Sequence, residues 1–301
     1  AEWIRENAGA SIYSKVWEPL LRGKFGDRFE SVGMPWFWSK IQTRFASRDR
    51  LGREKLGYPV NSFDEVFETL EDRIKSMGGK VHLETPVTRV LVEDGTATGL
   101  RAKYPDGAET EESFDLVLST VPSFVFPGMV DLPETYLKKL GAVEYMGAVV
   151  MILEMTHPLT SVYWMNIADH EVPFLGLIEH TNLMPKELYG GSNVLYLTNY
   201  VERQSELFLM SDEELLDVYA PWLPRFNSEF DRSWITRVHV NRVSAAQPVI
   251  GTNYSQHIPE HQTPISKLFL ANTTQIYPED RGTNYSIRMG REVAATMLRG
   301  V

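Results

Sequence analysis

Apolar residues recur at two different spacings along this chain, and the switch between them organises it. In the first sixty or so residues the spacing is helical. Ile4, Ala8, Ile12, Val16, Trp17, Leu20 and Leu21 fall near the period of an amphipathic helix. Pro19 lies inside that stripe and predicts a kink or a restart, because proline removes a backbone donor and clashes with the preceding turn. Gly23-Lys24-Phe25-Gly26 predicts a break, and Pro35 suits the first turn of a second helix through Trp36, Phe37, Trp38 and Ile41. Phe63, Val66, Phe67, Leu70, Ile74 and Met77 predict a helix over 63–77, with Ser62 and Glu65 spaced as a capping box and Gly78-Gly79 as its stop. The spacing then shortens to that of strands, predicted over 80–84, 87–93, 97–104 and 114–120 and punctuated by Asp94-Gly95 and Pro105-Asp106-Gly107. Strands of a mainly antiparallel sheet follow over 147–154, 162–167, 174–180, 193–200 and 234–240. Ser211 and Glu214 form a second capping-box pair before Leu215, Leu216, Val218 and Tyr219. Leu268-Phe269-Leu270 is a last short strand, followed by a polar loop with Pro278 and Gly282 and then a helix. The fold class is α/β with a mixed α+β character.

Composition narrows the function. A length of 301 residues allows one large domain or two ordinary ones, and 43% hydrophobic with 23% charged residues is ordinary for a soluble globular protein. A net charge of −10 disfavours nucleic acid, whose phosphates would be repelled over most of the surface. The absence of cysteine excludes disulfides, thiolate nucleophiles and cysteine-bound metals. No apolar run reaches the roughly 18–20 residues of a transmembrane helix, and the absence of cysteine makes a reducing cytoplasm the expected home. The one basic cluster, Arg44, Arg48, Arg50, Arg53 and Lys55, reads either as a solvated face or as a site for an anionic substrate or lipid head group. The second reading would make the protein membrane-peripheral.

Candidate chemistry is sparse. There is no G-x-S-x-G and no H-E-x-x-H, so neither a serine hydrolase nor a zinc site is indicated, and no catalytic residue is assigned. Glu179-His180 could be an acid–base couple, but neighbouring residues on a strand point to opposite faces, which favours a structural histidine. Tyr163, Trp164, Asn166, Tyr196, Asn199 and Tyr200 either pack a core or line a cavity for a ring-like or isoprenoid-like ligand.

The C-terminal order of strand, polar loop and helix, from Leu268 through Asn272, Tyr285, Ser286 and Ile287 to Gly290, resembles the closing segment of FAD-dependent amine oxidases, protoporphyrinogen oxidases and phytoene desaturases. In that superfamily the helix start meets the pyrimidine edge of the flavin, and the resemblance implies that Ser286 and Ile287 present N–H groups there. Pro86-Val87-Thr88-Arg89-Val90 is similar to the stretch that lies against the adenine, and Ser119-Thr120-Val121-Pro122 to the one that closes the same sheet. The implied cofactor-binding residues are Val87, Thr120, Pro122, Asn272, Tyr285, Ser286 and Ile287. Asn272 stands where the family commonly has an acid on the ribityl chain, and Tyr285 where it commonly has glycine. The stretch from His239 to Pro248 resembles the return from the substrate sheet to the flavin. The implied substrate-binding residues are Trp164, Asn166, Tyr200, Arg242, Gln247 and Tyr277.

What the resemblance implies for the whole is a substrate domain of residues 1–77 and 128–249, and the remaining half of an FAD domain of residues 78–127 and 250–301. The function implied is an FAD-dependent oxidoreductase removing hydride from a largely apolar small molecule, in the manner of protoporphyrinogen oxidases and desaturases. Two alternatives stand beside it: a flavin-dependent sugar-nucleotide isomerase like galactopyranose mutase, for which Arg242 and Arg281 are the residues to watch, and a non-catalytic ligand-binding module. The chain has no G-x-G and opens in helical pattern at Ala1-Glu2-Trp3-Ile4. The expectation is therefore a fragment lacking the Gly-rich phosphate-binding turn, with weak or no FAD binding of its own and an apolar edge that favours self-association.

Overall fold

The computed structural model describes residues 1–49, 51–53 and 57–299, so Arg50 and Lys55 of the basic cluster lie outside the described residues. The protein is a mixed α/β chain, and it divides into two compact units: residues 1–33 with 143–254, and residues 34–142 with 255–301. Among the described residues ten strands follow one another: β1 Val87–Glu93, β2 Thr96–Lys103, β3 Glu109–Ser113, β4 Val117–Ser119, β5 Tyr145–Met155, β6 Trp164–Asn166, β7 Gly176–Glu179, β8 Asn193–Val201, β9 Ile235–Pro248 and β10 Leu268–Leu270.

The first unit is built on the antiparallel sheet β6-β7-β8-β5-β9. Strand β5, between β8 and β9, alternates buried and half-buried positions, so the odd-numbered residues Val149, Met151, Leu153 and Met155 form one fully buried row. Leu195 and Leu197 of β8 extend that row, and Leu215, Tyr219 and Leu223 cover it. Burial of this face is the main stabilising term of the unit, at roughly 1.5–3 kcal/mol for each large apolar side chain. The covering helix Asp212–Tyr219 begins with the expected capping box: Ser211 Oγ accepts from the Glu214 N–H at 3.2 Å, and Glu214 Oε2 accepts from the Ser211 N–H at 2.8 Å. Pro19 restarts the N-terminal helix, sitting in the first turn of Glu18–Phe25 directly after a π-helical turn at Tyr13–Trp17. Gly23 does not break that helix. It packs where an added Cβ would lie 3.1 Å from Leu175, and the helix ends at Gly26 with φ 56°. Arg28 ties this segment to the sheet by ion pairs to both Glu144 and Glu202.

The second unit holds the meander β1-β2-β3 and the parallel pair β10-β4. Asp94 and Gly95 turn the first hairpin with φ 47° and 74°, the left-handed pair that the sequence Asp-Gly predicts. Strand β3 carries no apolar residue and is wholly exposed, which is why hydrophobic spacing does not find it. Main-chain pairing of Gly99 with Ser113 and of Lys103 with Glu109 defines it. Gly99 is required there, since a Cβ would fall 2.1 Å from the Glu112 carbonyl oxygen. Residues 80–84 are not a strand: all are exposed, and Glu84 has φ 51°, which ends any extended run. The helix predicted over 63–77 is present as Asp64–Ser76, but without the capping box. Ser62 has φ 77°, and its hydroxyl accepts from the Asp64 N–H at 3.1 Å instead of reaching Glu65. No residue of this helix is buried. The unit's core gathers Val90, Ala97, Val117, Phe126, Tyr136, Leu140, Leu268 and Leu270.

Candidate functional site

In the second unit the pairing of β10 with β4, Leu268 opposite Val117 and Leu270 opposite Ser119, brings the C-terminal strand to the Ser119-Thr120-Val121-Pro122 stretch. Thr120 ends exposed at the tip of β4, and the half-buried Pro122 begins a turn by accepting from the Val125 N–H at 2.9 Å. Asn272 locks the two chain segments together. Its Nδ2 donates to the Val121 carbonyl at 2.9 Å and to Ser123 Oγ at 3.2 Å, while its Oδ1 accepts from the Thr274 N–H at 3.1 Å and the Thr274 hydroxyl at 2.7 Å. The Gln275 side chain closes a capping box on the Asn272 N–H at 2.8 Å. Every donor and acceptor of the Asn272 amide is thereby engaged within the protein. The sequence does show Asn272 and Gln275 at capping-box spacing, and that signal identifies the turn Thr273–Gln275.

The helix Thr283–Arg299 starts two residues before Tyr285. The Ser286 N–H donates to the Gly282 carbonyl at 2.9 Å and so belongs to the helix. By helix geometry the free donors of the first turn lie N-terminal to Ser286, over Gly282 to Tyr285. Tyr285 is half-buried, with the Arg288 guanidinium 5.1 Å from its ring centroid and Arg288 paired to Glu279 at 2.8 Å. Ser286 and Ile287 are exposed. Val87 opens β1 opposite Ala102, beside a register shift, and is half-buried. Tyr277, half-buried, also belongs to this unit.

In the first unit the register sorts the remaining candidates by face, since directly paired residues share a side of the sheet. Trp164, Ile178, Tyr196, Ile152 and His239 form one row; Asn166, Gly176, Thr198, Val150 and Asn241 form the next; Tyr200, Ala148 and Val243 form the third. Trp164, Asn166 and Tyr200 thus share the face opposite the covering helix. Trp164 is 52% exposed, and its Nε1 donates to Asn166 Oδ1 at 3.1 Å. The Lys24 ammonium lies 5.6 Å from the Tyr200 ring centroid. Arg242 and Asn199 pair with Val149 and lie on the other face. There Arg242 donates to Asp212 Oδ1 at 2.7 Å and to the Met210 carbonyl at 2.6 Å, fastening the start of the covering helix to the sheet. Gln247, 1% exposed, pairs with Met146 beyond a bulge at which residues 244–246 of β9 face Gly147 alone.

Glu179 and His180 diverge: Glu179 ends β7, and His180 opens the 3-10 turn His180–Asn182. Glu179 pairs with Leu195 and is fully buried on the helix-covered side, where its Oε2 accepts from the N–H groups of Leu159 at 3.0 Å and Thr160 at 3.2 Å. Its Oε1 has no partner, and burial pushes the carboxyl up to about 7. His180 turns the other way, between Tyr189 and Tyr196, with Nε2 2.6 Å from the Tyr189 hydroxyl. Burial lowers its pKa. Among the described residues no cluster of side chains has the makings of a metal site.

The fold is shared with proteins of known structure. The structure is similar to an oxidoreductase from Methanosarcina mazei, at TM-score 0.71 and 17% identity over 98% of this chain and 67% of that one. It is also similar to the "putative protoporphyrinogen oxidase" from Exiguobacterium sp. 255-15, at TM-score 0.73 and 17% identity over 99% of this chain and 66% of that one. Reduced UDP-galactopyranose mutase matches at TM-score 0.64 and 13% identity over 85% of this chain and 57% of that one. The chain therefore spans about two thirds or less of the length of these structures. Among curated proteins no relative matches the sequence. The sequence matches the family of flavin containing amine oxidoreductases over residues 1–298, so with its strand–loop–helix closure and antiparallel sheet the chain belongs to that family.

Proposed function

We propose that the chain is the substrate sheet and part of the cofactor-binding body of an FAD-dependent oxidoreductase that removes hydride from a C–N or C–C unit of a largely apolar molecule. The observation that carries this is the β4–β10 pair, which draws the Thr120–Pro122 stretch and the start of the C-terminal helix into one unit. A test of fit gives a divided answer. The first turn of helix Thr283–Arg299 offers main-chain donors suited to an electron-rich ring edge. Asn272 does not fit a ribityl contact, because its amide is already saturated. No G-x-G turn occurs in the 301 residues to hold a pyrophosphate. Bound FAD would supply the redox chemistry by accepting hydride. The chain's own part is to bind and orient the substrate, for which Trp164, Asn166 and Tyr200 on one sheet face are the candidates. Gln247 and Tyr277 remain proposed contacts. The mutase alternative is less well supported, since Arg242, half of its expected guanidinium pair, is held by Asp212 and Met210.

The experiment compares two purified proteins. The 301-residue chain should be colourless, whereas the polypeptide encoded by the whole reading frame should carry FAD. Anaerobic addition of a porphyrinogen, a polyene precursor or an amine should then bleach the flavin of the longer protein. Stoichiometric flavin in the shorter chain would contradict the assigned division of the cofactor site. Catalysis of a sugar-nucleotide ring contraction without net flavin reduction would overturn the oxidoreductase.

A further inference from the structure

The helix Met34–Ala46 has two faces of opposite character. Its inner face is fixed: Trp36 is 4% exposed and donates from Nε1 to Asp280 Oδ1 at 3.2 Å, and Lys40 pairs with Asp280 Oδ2 at 2.6 Å. Its outer face carries Trp38 and Phe45, 60% and 64% exposed. Seven residues separate them, which places them about two turns apart on one line of the helix. Just beyond the helix, Asp49 Oδ1 accepts from the N–H groups of Leu51 at 2.8 Å and Arg53 at 3.0 Å. That turn holds Leu51 out at 75% exposure.

Isolated exposed apolar residues need no explanation. Here three of the largest stand in a stretch of one charge sign. Between Glu30 and Glu54 the sequence holds Lys40, Arg44, Arg48, Arg50 and Arg53 against Asp49 alone, a net of +4 in a chain of −10. Asp49 is itself taken up by Arg53 at 3.2 Å. Arg48 lies with its guanidinium 5.2 Å from the Phe45 ring centroid, and neither Arg44 nor Arg48 has an ion pair among the described residues. Arginine beside exposed aromatic side chains also occurs at protein interfaces, so an acidic protein partner is the rival occupant. Aromatic and aliphatic side chains interleaved with arginine are what enters the boundary between acyl chains and anionic head groups. Among the described residues no helix is long and apolar enough to cross a membrane.

We propose that Trp38, Phe45 and Leu51, together with Arg44 and Arg48, seat this protein on an anionic lipid surface. The test is vesicle flotation of the 301-residue chain, using neutral phosphatidylcholine vesicles and vesicles enriched in phosphatidylserine. The chain should bind the anionic vesicles at least about tenfold more tightly, with binding that weakens as salt rises. Arg44→Gln and Arg48→Gln should each weaken binding about fivefold. Phe45→Ser and Leu51→Ser should weaken it at least as much by removing inserted apolar area. Brominated acyl chains should quench tryptophan fluorescence in the parent and quench it less in Trp38→Phe. Leu51→Ser lies outside any helix and keeps the test decisive if a helix variant fails to fold. Equal binding to both vesicle types, no binding, or binding indifferent to these substitutions overturns the proposal. So does binding of polyglutamate in place of vesicles, which would assign the surface to an acidic protein.

Discussion

Glu179 makes the stability of the first unit depend on pH in a direction opposite to that of most carboxylates. Its side chain is 0% exposed; one oxygen accepts two N–H groups and the other accepts none. Burial raises its pKa from the ordinary 4.5 to about 7, even though the bonds from Thr160 and Leu159 pull it down. The folded state therefore binds this proton more tightly than the unfolded state does. Stability from this group is fully present below 4.5, falls as pH rises and is lost above about 7. The whole loss is about 3 kcal/mol, at roughly 1.4 kcal/mol for each tenfold change in proton affinity. Glu179→Gln keeps the volume and an acceptor for both N–H groups but cannot ionise. Urea unfolding of both proteins, followed by tryptophan fluorescence, should show the parent losing about 2 to 3 kcal/mol relative to the variant between about pH 5 and about pH 8. His180 contributes with the opposite sign: its lowered pKa makes the fold less stable as pH falls. That contribution is common to both proteins and cancels in the difference. A stability difference that stays flat across this range would refute the reasoning, and would mean that Glu179 is ionised and solvated in the native state.

Ser211→Ala should cost about 1 kcal/mol in chemical unfolding, because the capping box at the covering helix loses its hydroxyl acceptor. Asn272→Ala should cost more, about 2 to 3 kcal/mol, since it strands the Val121 carbonyl and the Thr274 N–H in a buried site; a smaller loss, read from the same unfolding curves, would mean that water replaces the amide. In the FAD-loaded protein, Trp164→Ala and Tyr200→Ala should raise KM more than they lower kcat, whereas Arg242→Met should lower the unfolding midpoint and leave KM nearly unchanged.

Much of the fold was legible because burial writes itself into spacing. The alternation of Val149, Met151 and Leu153 marks β5, and Asp94-Gly95 marks the turn from β1 to β2, since few other pairs accept two left-handed residues. What escaped was held by main chain or by position. Strand β3 has no apolar residue to betray it, and Gly99 opposite Glu112 is visible only once the register is known. Ser62-Glu65 and Ser211-Glu214 have the same spacing, yet only the second forms a box. The first fails because Ser62 adopts a left-handed φ that aims its hydroxyl at Asp64. The candidate site shows the same contrast. Trp164, Asn166 and Tyr200 converge on a face because strand periodicity fixes it. Arg242 sits in a strand as well, but its parity relative to β5 sends it to the other side. The partners of Asn272 come from residues about 150 positions away, Val121 and Ser123, and no local pattern announces them.

Neither compact unit is continuous in sequence, and this sets the order in which the protein can be made. Residues 1–33 belong with residues 143–254, and residues 34–142 with residues 255–301. During synthesis the N-terminal helices emerge long before the sheet they complete, and the meander β1-β2-β3 emerges before the strand β10 that its unit requires. Arg28 must wait for Glu144 and Glu202. Such long-range closures are paid in loop entropy before packing returns anything, which slows folding and leaves apolar stripes exposed in the interval. No internal cut of the sequence releases either unit as a single continuous piece.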